Sequence, residues 1–400
     1  MRGADAKPVT RIRPEIQALR ALAVVGTITF HTWPGYIPGG DAGVDVFFVV
    51  SGFLITGMLV REVDRTGGIS FRRFYGRRIR RLLPAAYVVI AFSAVMTLTF
   101  VPRIQWGYFF HEMLAAALGV ENWSELANSQ STDAVLRHLP PTPVLHYWSL
   151  GVEEQFYLVW PALILLIVWL VRRSRRRGSG FRTQLRWVFG VVAVASFIDC
   201  VLATSANVNL GYFATNARAW ELAVGGLLAL TPGLGRLPMR ARILFGWAGL
   251  LAILGTYFFT WDQQHFPGWY ALFPVLGAVA VIAAGTPQSA WSPSYLAQWA
   301  PIQAFGDASY SIYLWHWPII FLFPFVSGSP TPWWGVLLLI ALGIGVGFVS
   351  KRWIEDPLRS GARSREGTGV RLHLHPTAHA DAGKATAEQG SPGNPTSAAG

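Results

Sequence analysis

The stretch RPEIQALRALAVVGTITFHTW, residues 13–33, decides the fold class of this chain. It is mostly apolar and long enough to cross a bilayer as an α-helix, yet it includes Arg20 and His31. Eleven residues at about 100° each make just over three turns, so both side chains share one helix face, roughly 16 Å apart along the axis. Ionisable groups are costly in lipid and normally face a bundle interior or a water-filled path. The stretch therefore predicts a polar track across a membrane, with His31 placed for proton transfer.

Similar apolar runs recur along the whole chain. Of its 400 residues, 52% are hydrophobic and only 14% are charged, whereas a soluble domain carries about a quarter. The composition therefore predicts an all-α polytopic membrane protein, a bundle of about ten transmembrane helices. The predicted spans are residues 15–34, 43–60, 82–101, 149–170, 187–205, 217–231, 243–260, 269–285, 305–326 and 334–350.

The basic residues predict the orientation of the chain. A net charge of +12 is compatible with nucleic-acid binding, but its distribution argues against that class. With the N-terminus inside, all of the 33 Lys and Arg residues except Arg103, Arg137 and Arg218 fall on the cytoplasmic side. This is the positive-inside pattern. We therefore expect a multi-pass protein of the bacterial cytoplasmic (inner) membrane with both termini in the cytoplasm, in contact with lipid and not with nucleic acid.

Three regions are expected along the chain: a cytoplasmic segment at 1–13, a membrane domain at 14–359 and a disordered cytoplasmic tail at 360–400, which has no apolar pattern. Eight arginines in the loop 61–81 predict an amphipathic helix along the inner interface, where they could bind anionic lipid. The longest outer loop, 103–147, includes an aromatic segment, WGYFFHEML, that we expect to form a short helix. Loops of that length are usually functional or disordered. Its titratable residues are His111, Glu112, Glu121, Glu125, Asp133, His138 and His146.

Ionisable residues within the spans are the candidates for chemistry. Each has a structural alternative. Arg20 could extend to the inner headgroups, and Asp45 could cap the second span. Glu153 and Arg218 could form an ion pair between helices, and His316 could pack in an interfacial aromatic belt. The full set is Arg20, His31, Asp45, Glu153, Glu154, Arg218, Glu221, Asp307 and His316.

Six motifs occur in an order that resembles the acyltransferase 3 family of bacterial integral-membrane O-acyltransferases. The resemblance covers about residues 10 to 360. The motifs are RPEIQALRALAVV with the Arg20–His31 pair, GVDVFFVVSGFLIT at 43–56, FYGRRIRRLLPA at 74–85, LHYWSLGVEEQFYLVWP at 145–161, RAWELAVGGLLAL from Arg218 and SYSIYLWHWP from Ser309.

The resemblance implies a ten-helix enzyme that moves an acetyl or other short acyl group from cytoplasmic acyl-CoA to a hydroxyl of a cell-envelope glycan or glycosylated metabolite. His31 matches the essential histidine of the family, and Arg20 matches the cation paired with it. The arginine cluster that is thought to line the donor route is matched by Arg77, Arg78 and Arg81. The acid of the WSLxxE motif is matched by Glu153.

The residue types suit this chemistry. A thioester is already activated, so the enzyme mainly needs a base for the acceptor hydroxyl and a cation for the donor. Neutral imidazole can be that base near pH 7, and arginine binds phosphate bidentately. Glu153 could orient the imidazole of His31. Asp45 joins the catalytic set, while Arg218, Glu221, Tyr310 and His316 are expected to bind substrate, and no metal is expected.

Two alternatives stay open at this level. The sequences of these motifs are most similar to those of family members that carry an extra SGNH-type domain. This chain, however, has no GDS motif and no predicted eleventh span. We therefore expect a stand-alone transferase or a separate periplasmic transferase partner. A secondary transporter or flippase of polar solutes is the alternative function, although no inverted repeat supports it.

Overall fold

A computed structural model describes residues 13–131, 140–174, 180–231, 237–258 and 265–358. The N-terminal segment before residue 13, the tail 360–400 and the loop residues Asp133, Arg137 and His138 therefore lie outside the described residues. Within these ranges, all regular secondary structure is helical. Its helices are α1 (Pro14–Thr32), α2 (Gly43–Thr66), α3 (Phe71–Phe100), α4 (Trp106–Ala117), α5 (Glu121–Gln130), α6 (Tyr147–Arg173), α7 (Phe181–Ala206), α8 (Val208–Phe213), α9 (Thr215–Leu230), α10 (Met239–Phe258), α11 (Leu272–Ala284), α12 (Pro293–Ala297), α13 (Ala300–Ser327) and α14 (Trp333–Ser350).

Each of the ten predicted spans coincides with a helix, and the all-α prediction is confirmed for the described residues. Six helices are long and apolar enough to cross a membrane: α2, α3, α6, α7, α10 and α14 with the turn that follows it. Among the other four, α9 has 16 residues and α11 has 13, which is short for a span. The number of spans and the side of each terminus stay predictions.

The arginine-rich loop differs from its prediction. Residues from Phe71 onward do not form a separate interfacial helix, because α3 runs without a break from Phe71 to Phe100 across Pro84. Ser70 caps its first turn by accepting a hydrogen bond from the Arg73 amide. The third span therefore begins about three turns earlier than expected, and its arginines have protein partners in addition to any lipid. The short helix predicted in the outer loop is confirmed as α4.

Close helix contacts at glycine place the site helices. A Cβ on Gly306 of α13 would lie 2.1 Å from the carbonyl oxygen of Gln17 on α1, so these backbones touch. In the same way, a Cβ on Gly52 of α2 would lie 2.0 Å from the carbonyl oxygen of Leu222 on α9. Helix α1 thus packs between α2 and α13. This arrangement brings the histidine of α1 next to the SYSIYLWHWP motif of α13.

Candidate active site

The centre of the candidate site is a pair of histidines from two helices. His31, in the last turn of α1, has its Nδ1 2.9 Å from Nε2 of His316 on α13. The two rings are nearly parallel, with centroids 5.2 Å apart and planes 7° from each other. The Trp317 ring flanks His31 at 4.7 Å. His316 is buried, whereas His31 is half-buried and so can be reached by another molecule.

The hydrogen bonds around this pair fix the tautomers. Nδ1 of His316 lies 2.6 Å from the carbonyl oxygen of Tyr313, which can only accept, so this nitrogen carries the proton. Nε2 of neutral His316 is then an acceptor, and Nδ1–H of His31 donates to it. The remaining nitrogen of His31, Nε2, keeps its lone pair. That nitrogen can take a proton from a hydroxyl group or attack an acyl carbon.

A third histidine, His146, contacts the pair, and it is held there by a carbonyl that a proline in α13 leaves free. Pro318 within α13 has no N–H, so it leaves the Leu314 carbonyl without its helical donor. His146, just before α6, fills this position with its Nε2 3.1 Å from the Leu314 oxygen. The rings of His146 and His316 meet edge to face at 5.5 Å. The His146 main chain also accepts a hydrogen bond from Tyr313, at 2.8 Å.

A cavity lined by arginines lies on the other side of Tyr313. It has a volume of about 360 Å³ and lies between α1, α2, α3, α6 and α13. Its cations are Arg20, Arg61, Arg78 and Arg81, and its polar lining includes Ser51, Ser149, Glu153, Tyr157, Tyr310 and Tyr313. Four guanidinium groups against one carboxylate leave net positive charge, which suits a polyphosphate ligand.

The predicted donor-binding residues divide into two groups. Arg20, Arg78 and Arg81 share this cavity, and Arg20 donates to Gln17 on its own helix at 3.1 Å. Arg77 is not among the residues lining the cavity, and its guanidinium lies 4.0 Å from the carboxylate of Glu62. Tyr310, expected to bind substrate, also lines the cavity, where its hydroxyl donates to the Leu82 carbonyl at 2.9 Å.

Glu153 does not have the partner that the sequence suggested. Its carboxylate accepts a hydrogen bond from Tyr157 at 2.8 Å, and Tyr157 in turn lies 2.6 Å from Ser51. The imidazole of His31 is oriented by His316, so the expectation that Glu153 orients it is wrong. The sequence could not show this, because a histidine 285 positions away is a contact that only tertiary packing makes.

Asp45, Arg218 and Glu221 form a separate buried ion cluster. Nη1 of Arg218 lies 3.3 Å from Asp45 and 3.0 Å from Glu221, and all three side chains are buried. The ring of Phe48 is stacked below the guanidinium at 5.7 Å. Arg218 therefore pairs with Asp45 and Glu221 and not with Glu153. The cluster joins α2 to α9, and none of its members lies in the histidine site.

A second cavity opens beside the last turns of α1. It has a volume of about 250 Å³. Its lining includes Phe30, Asp41, Asn209, Tyr212 and Phe213, and it shares no lining residue with the arginine cavity. Phe30 directly precedes His31 in α1. Phe30, next to His31, thus lines this second cavity, and Tyr313, three residues before His316, lines the arginine cavity.

Sequence reasoning missed His146 and Tyr313 as members of the site. Both lie in motifs that were recognised, LHYWSL and YLWHWP, but nothing in a single sequence shows that the two motifs meet. The interrupting Pro318 is the signal that was available, because a proline within a helix predicts a free carbonyl four residues earlier.

These features define a class: a multi-pass membrane protein with a cationic cavity and a hydrogen-bonded pair of histidines. Such features suit a membrane acyltransferase. The chain belongs to the acyltransferase 3 family, whose model, described as an acyltransferase domain, matches residues 13–352.

The chain is similar to bacterial O-acetyltransferases. It is 30% identical to peptidoglycan O-acetyltransferase OatA of Listeria monocytogenes over 86% of this chain and 56% of the relative. It is 31% identical to O-acetyltransferase OatA of Staphylococcus aureus, over 87% and 57%. For the putative peptidoglycan O-acetyltransferase YrhL of Bacillus subtilis the identity is 32%, over 88% and 55%. The chain thus spans little more than half the length of these relatives. No solved structure matches it.

Proposed function

We propose that this protein transfers an acetyl or other short acyl group from acyl-CoA to a hydroxyl group of a glycan in the cell envelope. The hydrogen bond between His31 and His316 carries the proposal, because it leaves Nε2 of the half-buried His31 with its lone pair, as a base requires. The names of the relatives make peptidoglycan the leading acceptor. A glycosylated metabolite is the second.

The donor is expected to bind in the arginine cavity. Arg20, Arg78 and Arg81 line this cavity and are proposed to contact the phosphates of CoA, since bidentate guanidinium contacts suit those groups. Arg20 and His31 lie on the same helix, separated by about three turns. An extended pantetheine arm could therefore follow the face of α1 from the phosphates to His31.

The transfer step uses the free nitrogen of His31. Nε2 takes the proton of the acceptor hydroxyl while the hydroxyl oxygen attacks the carbonyl carbon of the thioester. The C–S bond then breaks, the acyl group stays on the oxygen, and the CoA thiolate takes up the proton. His316 stabilises the imidazolium through the same Nδ1–H hydrogen bond.

The proposed topology assigns each cavity to one side of the membrane. Ten spans with both termini in the cytoplasm place the arginine cavity toward the cytoplasm, where acyl-CoA is available, and the second cavity toward the outside. A separate periplasmic transferase partner stays a prediction that this geometry does not require.

Substitution of His31 tests the proposal. In the full-length protein purified in lipid nanodiscs, we expect His31→Ala to lower acetyl-CoA turnover by about 10²–10⁴-fold, the usual loss for a positioned acid–base group. The same variant should fail to restore O-acetyl groups to the envelope of a strain that lacks the gene. The exposed His265 offers a matched control, His265→Ala, which should retain activity.

Two results would contradict the proposal. One is near-normal turnover by a correctly inserted His31→Ala protein. The other is a lack of acetyl-CoA consumption by the unmodified protein while it moves a polar solute across the bilayer, as a secondary transporter or flippase would.

A further inference from the structure

Three glutamates outside the histidine site meet between α4 and α5. Glu112 lies on α4, and Glu121 and Glu125 are four residues apart on α5, so the latter two share a helix face. One carboxylate oxygen from each lies within 4.8 Å of the others. Glu112 and Glu121 have no solvent-exposed surface. The mechanism above uses none of these residues.

The charge of this group is poorly balanced by the protein. Oε1 of Glu112 accepts from Ser124 at 2.8 Å and from Asn128 at 2.9 Å. Its other oxygen has no hydrogen-bond partner, and neither does Oε1 of Glu125. Within the described ranges, the basic side chain that comes within 4.0 Å of the group is His111, on the Glu112 side.

Glu121 is the most informative of the three. It is fully buried, its carboxylate points into the group, and neither of its oxygens has a hydrogen-bond partner. A buried carboxylate without a donor or a counter-ion costs several kcal/mol. Among the described residues, no hydrogen-bond donor or counter-ion neutralises Glu121.

We propose that Glu112, Glu121 and Glu125 bind a calcium ion between α4 and α5. Calcium takes six to eight oxygen ligands at about 2.3–2.6 Å, so oxygens that share one ion are at most about 5 Å apart. The three carboxylate oxygens, within 4.8 Å of one another, meet that limit. Carboxylates alone, without a cysteine and with His111 mostly exposed, favour a hard cation over zinc.

The ion would stiffen one wall of the second cavity. Asn122, next to Glu121, donates to the carbonyl of Phe213 and to the hydroxyl of Thr215, each at 3.0 Å. Phe213 lines that cavity. Calcium that holds α4 to α5 would thus also hold α5 against the α8–α9 turn. On the proposed topology this loop is outside the cell, where sites with a Kd of about 10⁻⁴–10⁻³ M are used.

Direct binding tests the proposal in the purified full-length protein. After removal of metals with chelator, we expect one calcium ion per chain by isothermal titration, and an increase in the unfolding temperature with calcium. Terbium is a luminescent probe of calcium sites, and its emission should be sensitised by Trp123 on α5 and suppressed by calcium. We expect Glu121→Gln and Glu125→Gln each to weaken binding at least tenfold.

Asp199→Asn, a change at a half-buried acid on α7 that accepts a hydrogen bond from Asn216, is the control and should bind calcium normally. Absence of stoichiometric calcium binding by the unmodified, folded protein would refute the proposal. So would unchanged affinity in both glutamine variants, or a clear preference for Zn²⁺ or Mg²⁺. The terbium measurement on the unmodified protein decides the question even if a variant does not fold. None of these readouts depends on acyl transfer.

Discussion

At His31, one hydrogen bond decides which nitrogen can react. The Tyr313 carbonyl sets the proton of His316 on Nδ1, and this leaves Nε2 of His316 to accept from His31. Without that acceptor, the His31 ring could rotate or place its proton on the reactive nitrogen. His316 is therefore a positioning residue in the proposed reaction, because it acts through His31 and not on the acyl group itself.

Removal of the His316 ring should lower kcat more than it alters KM for the donor. We expect His316→Ala to reduce kcat by about 10–10³-fold, because a base in the wrong tautomer retains only part of its catalysis. His316→Gln should recover part of the loss, since its amide oxygen can accept from His31. Steady-state kinetics with acetyl-CoA measures both constants. An equal loss in the two variants would indicate a purely structural role for this residue.

At the scale of helices, backbone contacts at glycine hold the site together. Helix α2 crosses α9 where a Cβ on Gly225 would lie 2.1 Å from the Val49 carbonyl oxygen, close to the matching contact of Gly52. Small residues allow such close approach in membranes, where apolar packing alone gives helices little preference for one another. The same pair of helices carries the Asp45–Arg218–Glu221 cluster, so close approach and ion pairing act at one interface.

Gly52→Ala should separate α2 from α9. Because the new methyl group would overlap the main chain of Leu222, we expect a loss of about 1–3 kcal/mol of stability. Thermal unfolding in detergent measures the change. Gly190→Ala on α7 is the matched control, since no atom lies within 4 Å of a Cβ there, and it should unfold like the unmodified protein. Equal stability of the two variants would contradict the close α2–α9 crossing.

The helices themselves could be predicted from the sequence, and the long-range partners could not. Apolar runs located the six described helices that are long and apolar enough to cross a membrane, because burial in lipid requires such runs. The start of α3 was missed because an arginine-rich segment is typical of an interfacial helix. The acidic partners of these arginines, Glu62 and Glu355, are known only from the structure. His31 and Arg20 stood out as ionisable groups on an apolar face. The partners of His31 and Arg218 depend on helix packing, which pattern alone does not determine.

At the scale of the whole molecule, the orientation of the chain is the testable property. In a Cys200→Ser background, a cysteine at the exposed Ala127 of α5 should react with an impermeant maleimide in intact cells. One at the exposed Arg65, at the end of α2, should react only after the membrane is opened. The expectation follows from the excess of Lys and Arg on one side. Reversed labelling would place the arginine cavity outside, away from acyl-CoA.

The separation of the two cavities has a consequence for the energy supply of the cell. Bacteria store energy as a proton gradient, and a water-filled path through an abundant membrane enzyme would dissipate it. Here Tyr313, bonded to Ser149 at 2.8 Å and to the His146 main chain, lines the arginine cavity, and the two cavities have no wall residue in common. On the proposed topology, a small uncharged acyl group can move past Tyr313 while the nucleotide part of CoA stays in the arginine cavity. The enzyme would thus pass an acyl group to the outer side without opening a path for protons.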